Sequence, residues 1–173
     1  LRGLTLKKSK FWMGVVALVV SFVLIPMLAV PSLATSAKST IQFVSPEWVT
    51  ANIKSANLRV LDVRNAPLEY ISGHLPGAVN IADTAFRGPN GVLPVQYWDN
   101  DKLGSLFSKA GVSNNSRVLV YSSGNDVLGA TMVAYLLERT GIKDIYVLDG
   151  GYASYKASAQ PTTKVFPRYT VGN

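Results

Sequence analysis

The chain has 173 residues, 48% of them hydrophobic, which corresponds to one domain with an appendage. It contains no cysteine, which excludes disulfides, thiolate metal sites and thiol nucleophiles from these residues. Five basic residues and no acid fall in residues 1–40, so residues 41–173 carry only +2 of the net charge of +7, and no nucleic-acid partner is expected.

A stretch of twenty residues without a charge runs from Phe11 to Val30. At about 1.5 Å per residue, a helix of that length spans the roughly 30 Å hydrocarbon core of a membrane. Basic residues precede the stretch and no comparable cluster follows, which predicts a cytoplasmic N-terminus and a globular part outside the cytoplasm, on the periplasmic side in a bacterium. We therefore expect a basic N-terminus at 1–10, a single-pass anchor at 11–30 and a polar tether at 31–40.

A cleavable secretory signal is the alternative interpretation of the same segment, because small residues between Ser32 and Ala37 suit a signal peptidase. The apolar run exceeds the usual core of about 7–15 residues, which favours the anchor. Gly14, Ala17 and Ser21 form a small-residue face on which other transmembrane subunits could pack beside the lipid. A lipid-facing stripe without a partner explains that face equally well.

Strands and helices alternate through residues 41–160. Short apolar runs predict strands at 41–44, 58–63, 78–81, 117–121 and 144–148. Capping residues and helical spacing predict helices from Pro46, from Pro67, at 99–110, and from Val127 towards Gly141. This alternation predicts an α/β fold, an open parallel sheet with helices on both faces, whose ligands bind beyond the carboxyl ends of the strands. Residues 161–173 are predicted to form an extended tail or linker.

The candidate site follows the strand at 117–121. Ser122, Ser123, Gly124 and Asn125 have the composition of a tight turn, and a helix is predicted to begin at Val127. A strand that turns sharply into a helix N-terminus surrounds a small concavity with backbone N–H groups, which favours an anion.

Three motifs resemble the rhodanese-like (sulfurtransferase) family. The first is Leu61-Asp62-Val63-Arg64 followed by the segment from Tyr70 to Ile81, which includes His74-Leu75-Pro76-Gly77-Ala78. The second is the strand at 118–121 with its loop and helix, and the third is Val147-Leu148-Asp149-Gly150-Gly151-Tyr152, with Tyr152 where the family usually has tryptophan. The resemblance covers residues 43–157 and implies a rhodanese-like open parallel sheet.

Active members of that family carry a cysteine directly after the central strand, where loop N–H groups and the helix dipole stabilise a thiolate and then a persulfide. Ser122 occupies the matching position. A hydroxyl does not take up and release a sulfane sulfur as a thiolate does, and no base lies near Ser122 in the sequence. We therefore expect no catalytic residue here, and no cofactor or metal.

The other residues of the motifs are expected to be structural. The resemblance implies that His74 packs the turn before a strand, while Asp62 and Arg64 fasten loops through charge-assisted hydrogen bonds. Asp149 and Gly150 belong to a turn. A residual anion-binding loop remains an alternative for the segment after the central strand, although Asp126 would oppose an anion, and a hydrolytic Ser122 is less favoured still. The residues of that loop are Ser122, Ser123, Gly124, Asn125, Asp126 and Val127.

Two functions fit these observations, and the first is favoured. A membrane-anchored domain without a nucleophile could be a docking or accessory subunit of a larger membrane complex. It could also be the inactive N-terminal copy of a tandem sulfurtransferase, with thiosulfate or a mercapto acid as substrate and the cysteine beyond Asn173. The segment from Pro161 to Tyr169 resembles the linker that leaves the first copy in such proteins.

Overall fold

The fold was determined as a computed structural model, which describes residues 41–124 and 127–172. The predicted N-terminus at 1–10, anchor at 11–30 and tether at 31–40 lie outside the described residues, as do Asn125 and Asp126 of the loop. No helix within these two ranges has the length and apolar character of a membrane span.

Strands and helices alternate along the described chain as the sequence predicts. In chain order the elements are β1 (Ile41–Val44), α1 (Pro46–Asn52), β2 (Leu58–Asp62), α2 (Pro67–Ser72), β3 (Ala78–Asn80), a 3₁₀ turn (Asp83–Phe86), β4 (Arg87–Asn90), β5 (Leu93–Tyr97), α3 (Asn100–Lys109), β6 (Arg117–Tyr121), α4 (Val127–Arg139), β7 (Asp144–Leu148) and α5 (Gly151–Ala157). Local signals explain several of the boundaries. Ser45 caps α1 by accepting from the Trp48 N–H, and Asp99 caps α3 by accepting from the Lys102 N–H.

Five parallel strands form the main sheet in the order β1-β7-β6-β2-β3. β6 lies at its centre, with Val120 opposite Leu61 of β2 on one side and opposite Val147 of β7 on the other. The prediction of a parallel sheet is therefore confirmed. Because every strand of this sheet runs the same way, the loops after β2 and β6 emerge at the same edge, which brings Arg64 and Ser122 together.

Each face of the sheet is covered by its own apolar cluster, so the predicted helices on both faces are also confirmed. On one face Val118 and Val120 of β6 pack with residues of α3 and α4 such as Phe107 and Leu137. On the other face Leu119 and Tyr121 pack with residues of α1 and α5 that include Val49 and Tyr155. Alternate residues of β6 point to opposite faces, so both clusters are anchored on the same strand.

Four elements were not anticipated from the sequence: β4, β5, the 3₁₀ turn and α5. β4 and β5 pair antiparallel in a separate two-stranded sheet, with Arg87 opposite Tyr97. Pro89 and Pro94 suppress the strand pattern of this hairpin, because proline is depleted in strands. The 3₁₀ turn before the hairpin is too short for a periodic signal. α5 begins at Gly151 without a side-chain cap, so it lacks the usual sign of a helix start.

Residues 161–172 lie against the domain. Thr163 forms an isolated antiparallel bridge with His74, in which each residue donates its backbone N–H to the other's carbonyl. Further along, the Tyr169 hydroxyl donates to the Gly77 carbonyl, and the Gly172 N–H donates to the Ser108 carbonyl at 2.8 Å. The described part of the tail is therefore held by its backbone and by Tyr169, over both α2 and α3.

Candidate functional site

The loop after β6 is tied to the first turn of α5. Ser122 is buried, with 5% of its surface exposed. Its carbonyl accepts a hydrogen bond from the Tyr152 N–H at 2.8 Å, and the Ser123 carbonyl accepts one from the Ala153 N–H at 3.0 Å. These two bonds place Ser122 at the carboxyl end of the central strand, at the position where the resemblance places a nucleophile.

Glycines allow the loop and α5 to approach each other backbone to backbone. Gly151 has a φ of +57°, and a Cβ atom added there would lie 2.6 Å from the Ser122 carbonyl oxygen and 2.7 Å from the Gly124 nitrogen. Gly124 has a φ of +110°, and a Cβ atom there would lie 2.3 Å from the Gly150 oxygen. The turn at Gly150 and Gly151 therefore serves a close approach to the loop, which local sequence patterns do not reveal.

Ser122 borders two empty spaces. One has a cavity volume of about 10 Å³, which is room for about one water molecule, and lies against Phe43, Gly124 and the turn at 149–151. The other is an open cavity of about 200 Å³ lined by Arg64, Glu69 and Ser123 among others. An anion in the larger space would meet the Glu69 carboxylate, which opposes binding.

Asp62 and Arg64, which the sequence predicts to fasten loops, form a buried ion pair. The Arg64 Nη2 atom lies 2.6 Å from Oδ2 of Asp62, and both side chains are almost fully buried. Arg64 also donates from Nε to Oδ1 of Asp62 at 3.0 Å and from Nη2 to the Gly73 carbonyl at 2.9 Å. Although burial acts to lower the pKa of Arg64, the hydrogen bonds and charge of Asp62 raise it above its usual range. The arginine beside Ser122 is therefore engaged inside the domain.

Two tyrosines complete this cluster, and neither was expected from the sequence to be a site residue. The Tyr121 hydroxyl donates to Oδ2 of Asp62 at 2.7 Å and accepts from the Leu75 N–H at 3.3 Å. The Tyr152 ring lies on the other side, with its centroid 4.1 Å from Cζ of Arg64. The signal available in the sequence was the position of each aromatic residue, one at the end of the central strand and one in the third motif.

His74 lies fully buried between α2 and the tail. Its Nδ1 atom is 2.9 Å from the Tyr70 carbonyl oxygen and its Nε2 atom is 3.1 Å from the Val165 carbonyl oxygen. Its ring stacks on that of Tyr70 at a centroid distance of 4.0 Å. Among the described residues its polar contacts go to α2 and the tail and none goes to Ser122, which is the arrangement of a packing residue and not of a base.

Because Tyr121 is buried beside Asp62, we expect the free energy of unfolding to fall at alkaline pH. Burial, the charge of Asp62 and the hydrogen bond to that carboxylate raise the pKa of Tyr121 well above its usual value. Its contribution to stability is therefore complete below about pH 10, the pKa of an exposed tyrosine, and is lost as the pH rises through the folded-state pKa. We expect urea unfolding to give a lower free energy of unfolding at about pH 11 than at about pH 8.

Two variants test whether Tyr121 causes the loss of stability at alkaline pH. Tyr121→Phe should reduce the dependence on pH, and the remainder should come from Tyr70, Tyr155 and Tyr169, whose pKa values burial also raises. Tyr135→Phe, on the exposed side of α4, should keep the dependence of the unsubstituted chain. Equal pH dependence in Tyr121→Phe and the unsubstituted chain would show that Tyr121 is not the group responsible.

Comparison with known proteins agrees with the geometry of the sheet and the loop. Residues 45–158 match the family model described as "Rhodanese-like domain". This chain belongs to the rhodanese-like domain family. It is 57% identical over 169 residues to a protein of Synechococcus elongatus named "Putative thiosulfate sulfurtransferase". The matched region covers 97% of this chain and 52% of that protein.

Two further relatives are more distant. A thiosulfate sulfurtransferase of Corynebacterium glutamicum is 30% identical over 132 residues, which is 76% of this chain and 43% of that protein. The crystal structure of a 3-mercaptopyruvate sulfotransferase from Escherichia coli has the same fold, with a TM-score of 0.70 at 22% identity, covering 77% of this chain and 54% of that one. This rhodanese-like chain thus spans about half the length of the curated relatives that it matches.

Proposed function

We propose that this rhodanese-like domain is the non-catalytic half of a sulfurtransferase, which acts with a catalytic domain that supplies the cysteine. The observation that carries the proposal is the buried Ser122 hydroxyl in the loop after β6, where the family's chemistry needs a thiolate. The names of the relatives and their length, about twice the matched region, support a second domain. Thiosulfate or a mercapto acid would then be the substrate of the whole protein.

The electrostatics around Ser122 support the same proposal. A thiolate nucleophile and an anionic sulfur donor both need positive potential, yet Arg64 is neutralised by Asp62 at 2.6 Å. The open cavity next to Ser122 and Ser123 also contains Glu69, whose negative charge repels an anion. For the same reason we give the residual anion-binding loop less weight than a purely structural loop.

We further propose that the domain is held at a membrane by residues 11–30 and lies outside the cytoplasm. The support is the uncharged length of that segment and the basic residues before it, which follow the pattern of an uncleaved anchor. Lipid and neighbouring transmembrane subunits would be its partners there.

A docking role in a larger membrane complex is the second candidate function, and the hairpin of β4 and β5 favours it. Val92, Leu93 and Val95 are exposed on this hairpin, by 98%, 48% and 60% respectively. Adjacent exposed apolar side chains often mark a contact with another protein. The two functions are compatible, since a non-catalytic half could also dock the enzyme on its neighbours.

Assays of thiocyanate formation from thiosulfate and cyanide test the absence of catalysis. We expect no turnover by the unsubstituted chain and none by Ser122→Cys, because a thiol introduced there would be buried, would lack a cation to lower its pKa and would face Glu69. Ser123→Cys is the matched control, since it places a thiol one residue along the same loop.

The outcomes test two parts of the proposal separately: that the chain is not catalytic, and that its loop does not bind the sulfur donor. Turnover by the unsubstituted chain would overturn the non-catalytic role altogether. Turnover by Ser122→Cys and not by Ser123→Cys would show a loop that still binds the sulfur donor, and the electrostatic argument would then be wrong. Mass spectrometry of the intact native protein from membranes would identify its ends and co-purifying chains, which distinguishes an enzyme half from a docking subunit.

A further inference from the structure

A larger cleft lies apart from the Ser122 loop, between the β4–β5 hairpin, the start of α3 and the end of α4. Its volume is about 420 Å³, within the range of small-molecule sites. None of the residues that line it borders either space around Ser122. The lining residues are Asn90, Gln96, Tyr97, Trp98, Asp99, Lys102 and Arg139.

Two cations of this cleft are held in place by the same residue, Trp98. The Lys102 Nζ atom lies 3.2 Å from the centroid of the indole ring. Arg139 donates from Nη2 to the Trp98 carbonyl and from Nε to Oδ1 of Asn100 at 2.8 Å. These contacts orient both side chains through neutral groups, and neither cation takes part in the ion pairs of the described residues.

The nearest carboxylate in the lining is already engaged. Asp99 caps α3, where its Oδ1 atom accepts from the Lys102 N–H at 2.8 Å. The two ion pairs found within residues 41–124 and 127–172 are Asp62–Arg64 and Asp83–Arg87, and neither involves a cation of the cleft. Lys102 and Arg139 together outweigh the single negative charge of Asp99, so the lining keeps one net positive charge and offers donors for an anion.

The hairpin adds a polar wall. The Asn90 Nδ2 atom donates to Oε1 of Gln96 at 2.7 Å, which leaves the Gln96 amide N–H groups and the Asn90 carbonyl oxygen as donors and acceptor for a ligand. Lys102 and Arg139 present two separate cationic donors, and the three acceptor oxygens of a phosphomonoester can accept from both at once. The side-chain amides of Asn90 and Gln96 can form hydrogen bonds with the hydroxyl groups or the nucleobase of such a molecule.

We propose that this cleft binds a small phosphomonoester, such as a nucleoside monophosphate or a sugar phosphate. Lys102 and Arg139 bind its phosphate, and Asn90 and Gln96 contact its polar remainder. The proposal concerns a site separate from the Ser122 loop, so it holds or fails independently of any role in sulfur transfer.

Calorimetric titration of the full chain in a nonionic detergent tests this proposal, with adenosine 5′-monophosphate as the probe. We expect the monophosphate to bind, inorganic phosphate to displace it, and adenosine to show no binding. Lys102→Gln should weaken monophosphate binding about tenfold, the equivalent of about 1.4 kcal/mol. Lys109→Gln makes the same charge change at an exposed position of the same helix outside the cleft, and it should leave the affinity unchanged.

The remaining outcomes count against the site. Absence of monophosphate binding at tens of millimolar would overturn it, and so would binding of adenosine with the affinity of its monophosphate. Equal weakening by Lys102→Gln and Lys109→Gln would show a general charge effect in place of a site. Thermal melting of both variants, with midpoints equal to that of the unsubstituted chain, establishes that any loss of binding does not come from unfolding.

Discussion

Replacement of Asp62 by asparagine is expected to lower the free energy of unfolding by about 3–5 kcal/mol, because it leaves the Arg64 charge buried without its partner. The exposed fractions of the Arg64 and Asp62 side chains are 3% and 0%, so water cannot compensate for the lost charge. The Tyr121 hydroxyl would lose its charged acceptor as well. Urea unfolding followed by circular dichroism measures the effect.

Asp83→Asn is the matched control, since it removes the same charge from the second ion pair of the described chain. Asp83 and Arg87 lie 3.4 Å apart with side-chain exposures of 15% and 35%, so we expect a change of no more than about 1 kcal/mol. The double variant Asp62→Asn with Arg64→Met should be less destabilised than Asp62→Asn alone, because it removes the stranded charge. Similar losses in Asp62→Asn and Asp83→Asn would show that burial does not make the difference we assign to it.

Replacement of Gly151 by alanine is expected to cost about 2–5 kcal/mol of unfolding free energy, the sum of backbone strain and overpacking. The strain comes from the φ of +57°, which disfavours a Cβ atom. The overpacking comes from the backbone of Ser122 and Gly124, which would lie 2.6–2.9 Å from that atom and cannot rotate away as a side chain can. Chemical denaturation is again the measurement.

Gly91→Ala separates these two causes. Gly91 lies in the hairpin turn with a φ of +58°, almost the same as that of Gly151, and a Cβ atom there meets nothing within 4 Å. It should therefore cost only the strain, about 1–2 kcal/mol. If Gly151→Ala were no more costly than Gly91→Ala, the loop after β6 would not be held by α5 in the way that we describe.

These two substitutions concern contacts around the same loop. Arg64 of the buried ion pair lines the open cavity next to Ser122, and the turn at Gly151 packs against the Ser122 backbone. The ion pair engages the guanidinium charge that an anion would need, and the turn at Gly151 brings a second backbone segment against the loop. The backbone bonds from Ser122 and Ser123 to α5 and the pairing of Arg64 with Asp62 suit a part that supports a neighbouring domain, in accordance with the function we propose.

Much of the architecture could be predicted from the sequence, because the signals involved are local. Apolar runs identified all five strands of the parallel sheet to within one residue, and Ser45 and Asp99 indicated the starts of α1 and α3. The β4–β5 hairpin was not predicted because each of its strands contains a proline. The helix α5 was not predicted because its start has no capping side chain. For α5, the packing of Gly151 on the Ser122 backbone takes the place of a local capping signal.

The absence of a thiol and the position of Ser122 directly after the strand at 117–121 follow from the sequence, since both depend on residue identity and order. The surroundings of that serine follow from the folded chain, because Tyr121, Arg64 and Tyr152 meet through parallel strand pairing and helix packing. The same holds for the cleft proposed to bind a phosphomonoester. Lys102 and Arg139 are 37 residues apart in the sequence, and both contact Trp98. Charge and periodicity are properties of a segment, whereas the neutralisation of Arg64 and the exposure of Lys102 are properties of the folded neighbourhood.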